Sequence, residues 1–110
     1  MTTFPIKILL AIDDSEEAEM ATRRAVGLAD TVSSELYVVY VGRLPNFLMN
    51  DPDLMGFYRK LYDDIERESL KVLRRLTWEV KASGGDVAGA HLRMGNAAEE
   101  IVELAKDLKR

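Results

Sequence analysis

The chain has no cysteine among its 110 residues, which excludes disulfides, Cys-ligated zinc and thiol catalysis together. It also lacks an excess of basic charge. Lysine and arginine number 15 against 19 acids, giving a net charge of −4 and a pI near 5.0. Nucleic-acid binders usually show a basic face, so a phosphate-backbone partner is not expected. The basic pairs Arg23-Arg24, Arg59-Lys60 and Arg74-Arg75 alternate with acids and read as solvated helix faces. No apolar run approaches the roughly 20 residues of a membrane span. The start, Met1-Thr2-Thr3-Phe4-Pro5, has neither the basic region nor the cleavage site of a signal peptide, so the expected compartment is the cytoplasm. His91 is the single histidine and reads as a surface or rim residue. Ser15 has no base nearby, and no nucleophile–base pair assembles anywhere, so a dedicated enzyme is not expected.

What is present begins with Ile6-Lys7-Ile8-Leu9-Leu10-Ala11-Ile12. A continuous, Ile-rich apolar run of this length predicts a strand buried on both faces, the kind found inside a parallel sheet. It stops at Asp13-Asp14-Ser15, and Glu16-Glu17-Ala18-Glu19-Met20-Ala21 follows with helical composition. Asp14 or Ser15 caps that helix, Asp14 and Glu17 having capping-box spacing. Ala18, Ala21, Ala25, Val26, Leu28 and Ala29 supply its sheet-facing side. A strand that ends on an acid and hands over to a capped helix is the βα turn where open α/β proteins place ligands.

A second strand is predicted over Glu35–Val41, ending at Gly42, then a loop through Pro45-Asn46-Phe47. Met49 and Met55, with Phe47 and Leu48, make this loop an apolar cover for a cleft or a partner. Asp51 and Pro52 open a long helix, Asp53 to Ala82, with Leu54, Phe57, Leu61, Ile65, Val72, Leu73, Leu76 and Val80 on or near one face. Tyr58, Tyr62 and Trp78 on it either pack or sit at a protein contact. Ser83-Gly84-Gly85 stops this helix. A weaker strand, Val87 to Met94, reads as a sheet edge. Asn96 and Glu99 have capping-box spacing before a last helix with Ile101, Val102, Leu104, Ala105 and Leu108 as its stripe. Strands alternating with helices predict one α/β domain with a parallel sheet and helices on both faces.

Three blocks in this order resemble the universal stress protein family: Ile8-Leu9-Leu10-Ala11-Ile12-Asp13-Asp14-Ser15-Glu16, Leu36-Tyr37-Val38-Val39-Tyr40-Val41, and Arg93-Met94-Gly95-Asn96-Ala97-Ala98-Glu99-Glu100-Ile101. The family often has proline where Ala97 stands. The resemblance covers nearly all of the chain and implies a three-layer α/β/α, Rossmann-like fold of the adenine nucleotide alpha-hydrolase type. It implies strands 3-2-1 of a 3-2-1-4-5 sheet, so residues 1–110 read as a domain lacking its C-terminal fourth strand, fourth helix and fifth strand. The family's nucleotide-binding members carry a phosphate loop, G-x2-G-x9-G-[ST], after strand four. The seven glycines here, at 27, 42, 56, 84, 85, 89 and 95, do not make that pattern.

By the same resemblance the ligand is ATP or another adenine nucleotide, with Mg, and the binding set is Ala11, Ile12, Asp13, Asp14, Ser15, Val41 and Gly42. Asp13 would accept from the adenine amine, as a carboxylate can. Val41 would meet the adenine edge through its backbone, and Ala11 and Ile12 would form the floor. Asp13 accepting backbone amides in its own turn, and Val41 as a core valine, stay open as plainer roles. With strand one left at an edge, the chain is expected to pair with a second copy as a homodimer; an unidentified protein partner is the other candidate. The implied role is a stress-response or signalling module. Two alternatives stand beside it: a nucleotide-free dimerisation module of the same fold, and a receiver-like phospho-switch built on Asp13-Asp14.

Overall fold

The computed structural model describes residues 6–13, 15–31 and 34–109. The elements in order are β1 (Ile6–Ala11), α1 (Glu16–Thr31), β2 (Ser34–Arg43), α2 (Asn46–Asn50), α3 (Asp53–Phe57), α4 (Arg59–Ala82), β3 (Val87–Gly95) and α5 (Ala97–Leu108). The three strands form a parallel sheet in the order β1-β2-β3, the 3-2-1 arrangement expected from the sequence.

Side-chain alternation along β2 divides the molecule into layers. Leu36 and Val38 face one way and join Leu10, Ile12, Val26, Leu73, Leu76 and Val80 in the main core, under α1 and α4. Val39 is buried on the opposite side. There α5 closes the second face: the Arg93 guanidinium on β3 reaches Asp107 at 3.1 Å, Lys7 on β1 donates to the Leu108 carbonyl, and Leu104 is buried. The result is a three-layer α/β/α fold. Among the described residues no helix is long and apolar enough to cross a membrane.

Local chemistry explains most element ends. Ser15 caps α1, its Oγ accepting from the Ala18 amide at 3.1 Å, and Glu16, Glu17 and Glu19 place negative charge where the helix dipole favours it. The Asp14–Glu17 capping box lies outside the described residues. Gly84 (φ +99°) ends α4 in a Schellman motif: Gly85 N–H donates to Val80 O at 3.2 Å and Gly84 N–H to Lys81 O at 3.0 Å. Asn96 caps α5 by accepting from Glu99 N–H at 3.1 Å.

β1 is not buried on both faces as its composition predicts: Ile6, Lys7 and Ala11 are exposed and only Leu10 is buried, because the strand pairs on one side only among the described residues. Four further readings of the sequence need correction. First, β2 does not stop before Gly42 but runs through Gly42 and Arg43, because both stay paired with β3, opposite Met94 and Gly95; the glycine also lets α4 approach, since a β-carbon there would collide with the Ser69 hydroxyl and the Met94 sulfur. β3 likewise extends one residue, to Gly95. Second, the single long helix is broken at Tyr58 (φ −103°, ψ 33°), just after Gly56, a weak helix former. The ring of Tyr58 stacks edge-on between Phe47 and Phe57, with centroids 5.2 and 5.1 Å away. Third, Phe57 is 81% exposed and Leu61 is also exposed, since that end of the helix lies past the sheet. Fourth, Ala21 and Leu28 are exposed, so α1 meets the sheet through a narrower face centred on Val26. Trp78 is 70% exposed, at the surface and not in the core.

Candidate functional site

β1 ends while β2 continues to Arg43, and that mismatch makes the site. The last paired residues are Ala11 and Val39, and Ile12 N–H then donates to Val39 O at 2.9 Å. β2 continues to Arg43. In a parallel ladder alternate residues of a strand address the same neighbour, so Val41 turns its N–H and C=O to the side where β1 has already ended. Its peptide groups therefore border open space at the carboxyl edge of the sheet.

α4 supplies the wall. Ser69 sits over Gly42 near the end of β2, and α4 runs back along the sheet, so its residues before Ser69 project past the strand ends. A cleft of about 630 Å³ results, within the usual range of small-molecule sites. Its strand side carries Ala11, Ile12, Asp13, Val41 and Arg43; its helix side carries Asp64, Glu68 and Ser69 from α4 and Ile101 from α5. Ser69 Oγ is turned back onto its own helix, donating to Ile65 O at 2.7 Å.

Asp13 is exposed at the rim. Its Oδ1 accepts the Ser15 amide at 2.7 Å, so the plainer turn-forming role is present. The Ser15 hydroxyl first and then that amide hold its carboxyl below the ordinary 3.8 against the opposing effect of burial, with the Arg43 guanidinium adding least. Asp13 is thus an ionised acceptor at neutral pH, held by its own turn at the rim of the cleft.

Of the seven residues expected to bind, Ala11, Ile12, Asp13 and Val41 meet in this cleft. Ser15 instead lines a separate groove of about 440 Å³ between α1 and α4, which Asp13 also borders. Gly42 is buried beneath Ser69 and serves the packing of α4. Asp14 lies outside the described residues. The sequence reading missed Arg43, Asp64, Glu68 and Ser69. A signal for the last three was there: Asp64, Ile65, Glu68, Ser69 and Val72 recur at helical spacing on one side of α4. Among the described residues no cluster of three His, Cys, Asp or Glu could hold a metal ion, and β3 ends at Met94-Gly95 without the acid a phospho-receiver needs.

A parallel three-layer fold with a cleft over the strand ends is the open α/β architecture, whose ligands, where it has them, sit outside the carboxyl ends of the strands. The Universal stress protein family model matches residues 6–109, and the chain belongs to that family. It is 31% identical over 108 residues to the Universal stress protein YxiE of Bacillus subtilis (strain 168), covering 92% of this chain and 71% of that protein. Its fold superimposes on a universal stress family protein from Burkholderia pseudomallei with a TM-score of 0.63 at 26% identity, covering 94% of this chain and 74% of that one. For the universal stress protein UspA from Lactobacillus plantarum the TM-score is 0.66 at 20% identity, over 98% and 73%.

Proposed function

We propose that this chain binds an adenine nucleotide in the cleft over the ends of β1 and β2, as a stress-response or signalling module of its family and not as a dedicated enzyme. The observation that carries this reading is the convergence of Ala11, Ile12, Asp13 and Val41 on one wall of a cleft of ligand size. Asp13 accepts from the exocyclic amine of adenine, and the outward peptide groups of Val41 meet the ring edge. Ala11 and Ile12 give the ring an apolar seat, and Arg43 is the basic group nearest to hand for phosphate.

The test is calorimetric titration of adenine nucleotides, with and without Mg, into this 110-residue chain, alongside Asp13→Ala. The expected result is micromolar binding that weakens at least tenfold in the variant, about 1.4 kcal/mol. A second reading, a nucleotide-free module that pairs with a second copy, is favoured by β1: it pairs on one side only among the described residues, and Ile6 is 58% exposed. Dimerisation in light scattering with no heat from any adenine compound would replace the first reading by this one.

A further inference from the structure

β3 forms the far edge of the sheet. Among the described residues it pairs with β2 alone, so alternate residues along it turn their N–H and C=O groups outward. Sheet edges are ordinarily blunted by charges, proline or a covering element. Here the exposed Ala88 and Ala90, with Gly89 between them, leave the first half of the strand bare. A register shift against β2 falls at Ala88, and from Gly89 to Gly95 the ladder is regular. α4 lies beside this edge without filling the space along it. Leu70, Arg74, Thr77, Trp78 and Lys81 recur at helical spacing on its outer side, and with Ala90 they line a groove of about 290 Å³. Ala90 offers only a methyl, and Trp78 is left 70% exposed. The Thr77 hydroxyl is buried with no hydrogen-bond partner among the described residues, so packing within the chain leaves a polar group unmet here. Arg74 and Lys81 flank Trp78 along the helix and are exposed, and neither has an acidic partner among the described residues. The neighbouring acids of α4 are engaged elsewhere: Glu68 pairs with Lys71, and Glu79 lines the groove against α1.

We propose that this groove and the free edge of β3 take up an extended acidic segment of a partner protein, added as a strand beside β3. An apolar side chain of that segment enters the groove against Trp78, and acidic side chains two residues to either side meet Arg74 and Lys81. Strand addition supplies affinity through the backbone, and pockets for alternate side chains supply specificity. The spacing agrees. Arg74 and Lys81 are seven residues apart, about 10 Å along a helix, and the outer two of three alternate side chains on a strand are about 13 Å apart. A second copy is a poorer occupant, because pairing β3 with β3 about a twofold axis brings the copy's Arg74 and Lys81 against these, like charge against like. The surface shares no residue with the cleft over β1 and β2, so it is independent of the adenine reading.

Trp78 is the single tryptophan of the chain, so its emission reports on the groove directly. The experiment follows that emission while a short peptide of threonines, with a central leucine and a glutamate two positions to either side, is titrated in. The expected result is a saturable blue shift, and the same peptide with lysines in place of the glutamates binds about tenfold more weakly. Arg74→Glu/Lys81→Glu reverses that preference; both side chains are exposed, and circular dichroism melts confirm the fold. N-methylation of one alternate set of the peptide's amides abolishes the shift and of the other set does not, as for a strand hydrogen-bonded along one side. No shift with the glutamate peptide up to millimolar concentration overturns the proposal. So does an equal response to the two charge patterns, or indifference to both methylated sets. Light scattering of the chain alone is the last check: a dimer that Trp78→Ala disperses assigns the groove to a second copy and overturns the proposal.

Discussion

The two halves of α4 do different work with the same helix. From about Lys71 onward it lies on the sheet and contributes Leu73, Leu76 and Val80 to the main core. Before Ser69 it has run out of sheet, and there it contributes Asp64, Ile65 and Glu68 to the cleft while Leu61 stays exposed. At 24 residues and 1.5 Å per residue, the helix is about 36 Å long. That length serves both ends. A helix cut to the length of its core contacts would leave β2 ending in open solvent. The overhang turns a strand edge into a cleft, so stability and binding can be altered separately along one element.

The largest expected effect breaks the core half. Leu76→Ala removes a side chain only 5% exposed between sheet and helix, and should cost about 2–5 kcal/mol in urea unfolding. Leu61→Ala at the overhang, where the side chain is 37% exposed, should cost clearly less, about 1 kcal/mol or below. Comparable losses at both sites would mean that the overhang is packed, and the division of α4 would be wrong.

A smaller effect probes the joint between the halves. Gly42→Ala places a methyl against the Ser69 hydroxyl and the Met94 sulfur, an overpacking expected to cost about 1–3 kcal/mol. Ser69→Ala removes the hydroxyl, so the double variant should recover part of the loss, with a coupling of at least about 0.5 kcal/mol. Denaturant melts of the two singles and the double measure it. Strictly additive losses would mean that α4 does not bear on β2 at this point.

How much of this could be read in advance follows the same line. Elements set by local chemistry were legible. The Ile-rich run of β1, the glycines that close α4 in a Schellman motif and the Asn96 cap each carry their reason within a few residues. The cleft's strand wall was legible too, because Asp13 ends a strand. What was hidden depends on partners distant in sequence. Gly42-Arg43-Leu44-Pro45 has the composition of a turn, yet Gly42 and Arg43 belong to β2 because they pair with Met94 and Gly95 of β3. That two-residue extension carries Arg43 to the cleft. Phe57 and Leu61 fit the helical stripe as well as Leu73 does, and periodicity has no means of saying where the sheet beneath a helix ends. Asp64 and Glu68 look like ordinary solvated charges until the overhang sets them opposite Asp13.

The smallest effect concerns Asp13, which joins the turn to the cleft. Its carboxyl is held below the ordinary 3.8 by the Ser15 hydroxyl and amide, and less by Arg43. A carboxyl depressed in the folded state stabilises the fold above its unfolded pKa, and the contribution is lost as pH falls through the lower folded value. The melting temperature of the unmodified chain should therefore exceed that of Asp13→Ala by a constant margin from pH 8 down to about pH 5. The margin should close only below the ordinary carboxylate value. Asp13 is exposed, so the margin itself should be a few degrees at most, the scale of about 1 kcal/mol or less in a domain of this size. Thermal melts across that range separate two uses of one side chain. If the Asp13→Ala loss of ligand binding is already complete at pH 7 while stability there shifts only slightly, the carboxylate serves the cleft directly. If binding and melting temperature fall together across variants and pH, Asp13 acts by holding the β1–α1 turn in shape, and the ring-edge contact belongs to Val41 alone.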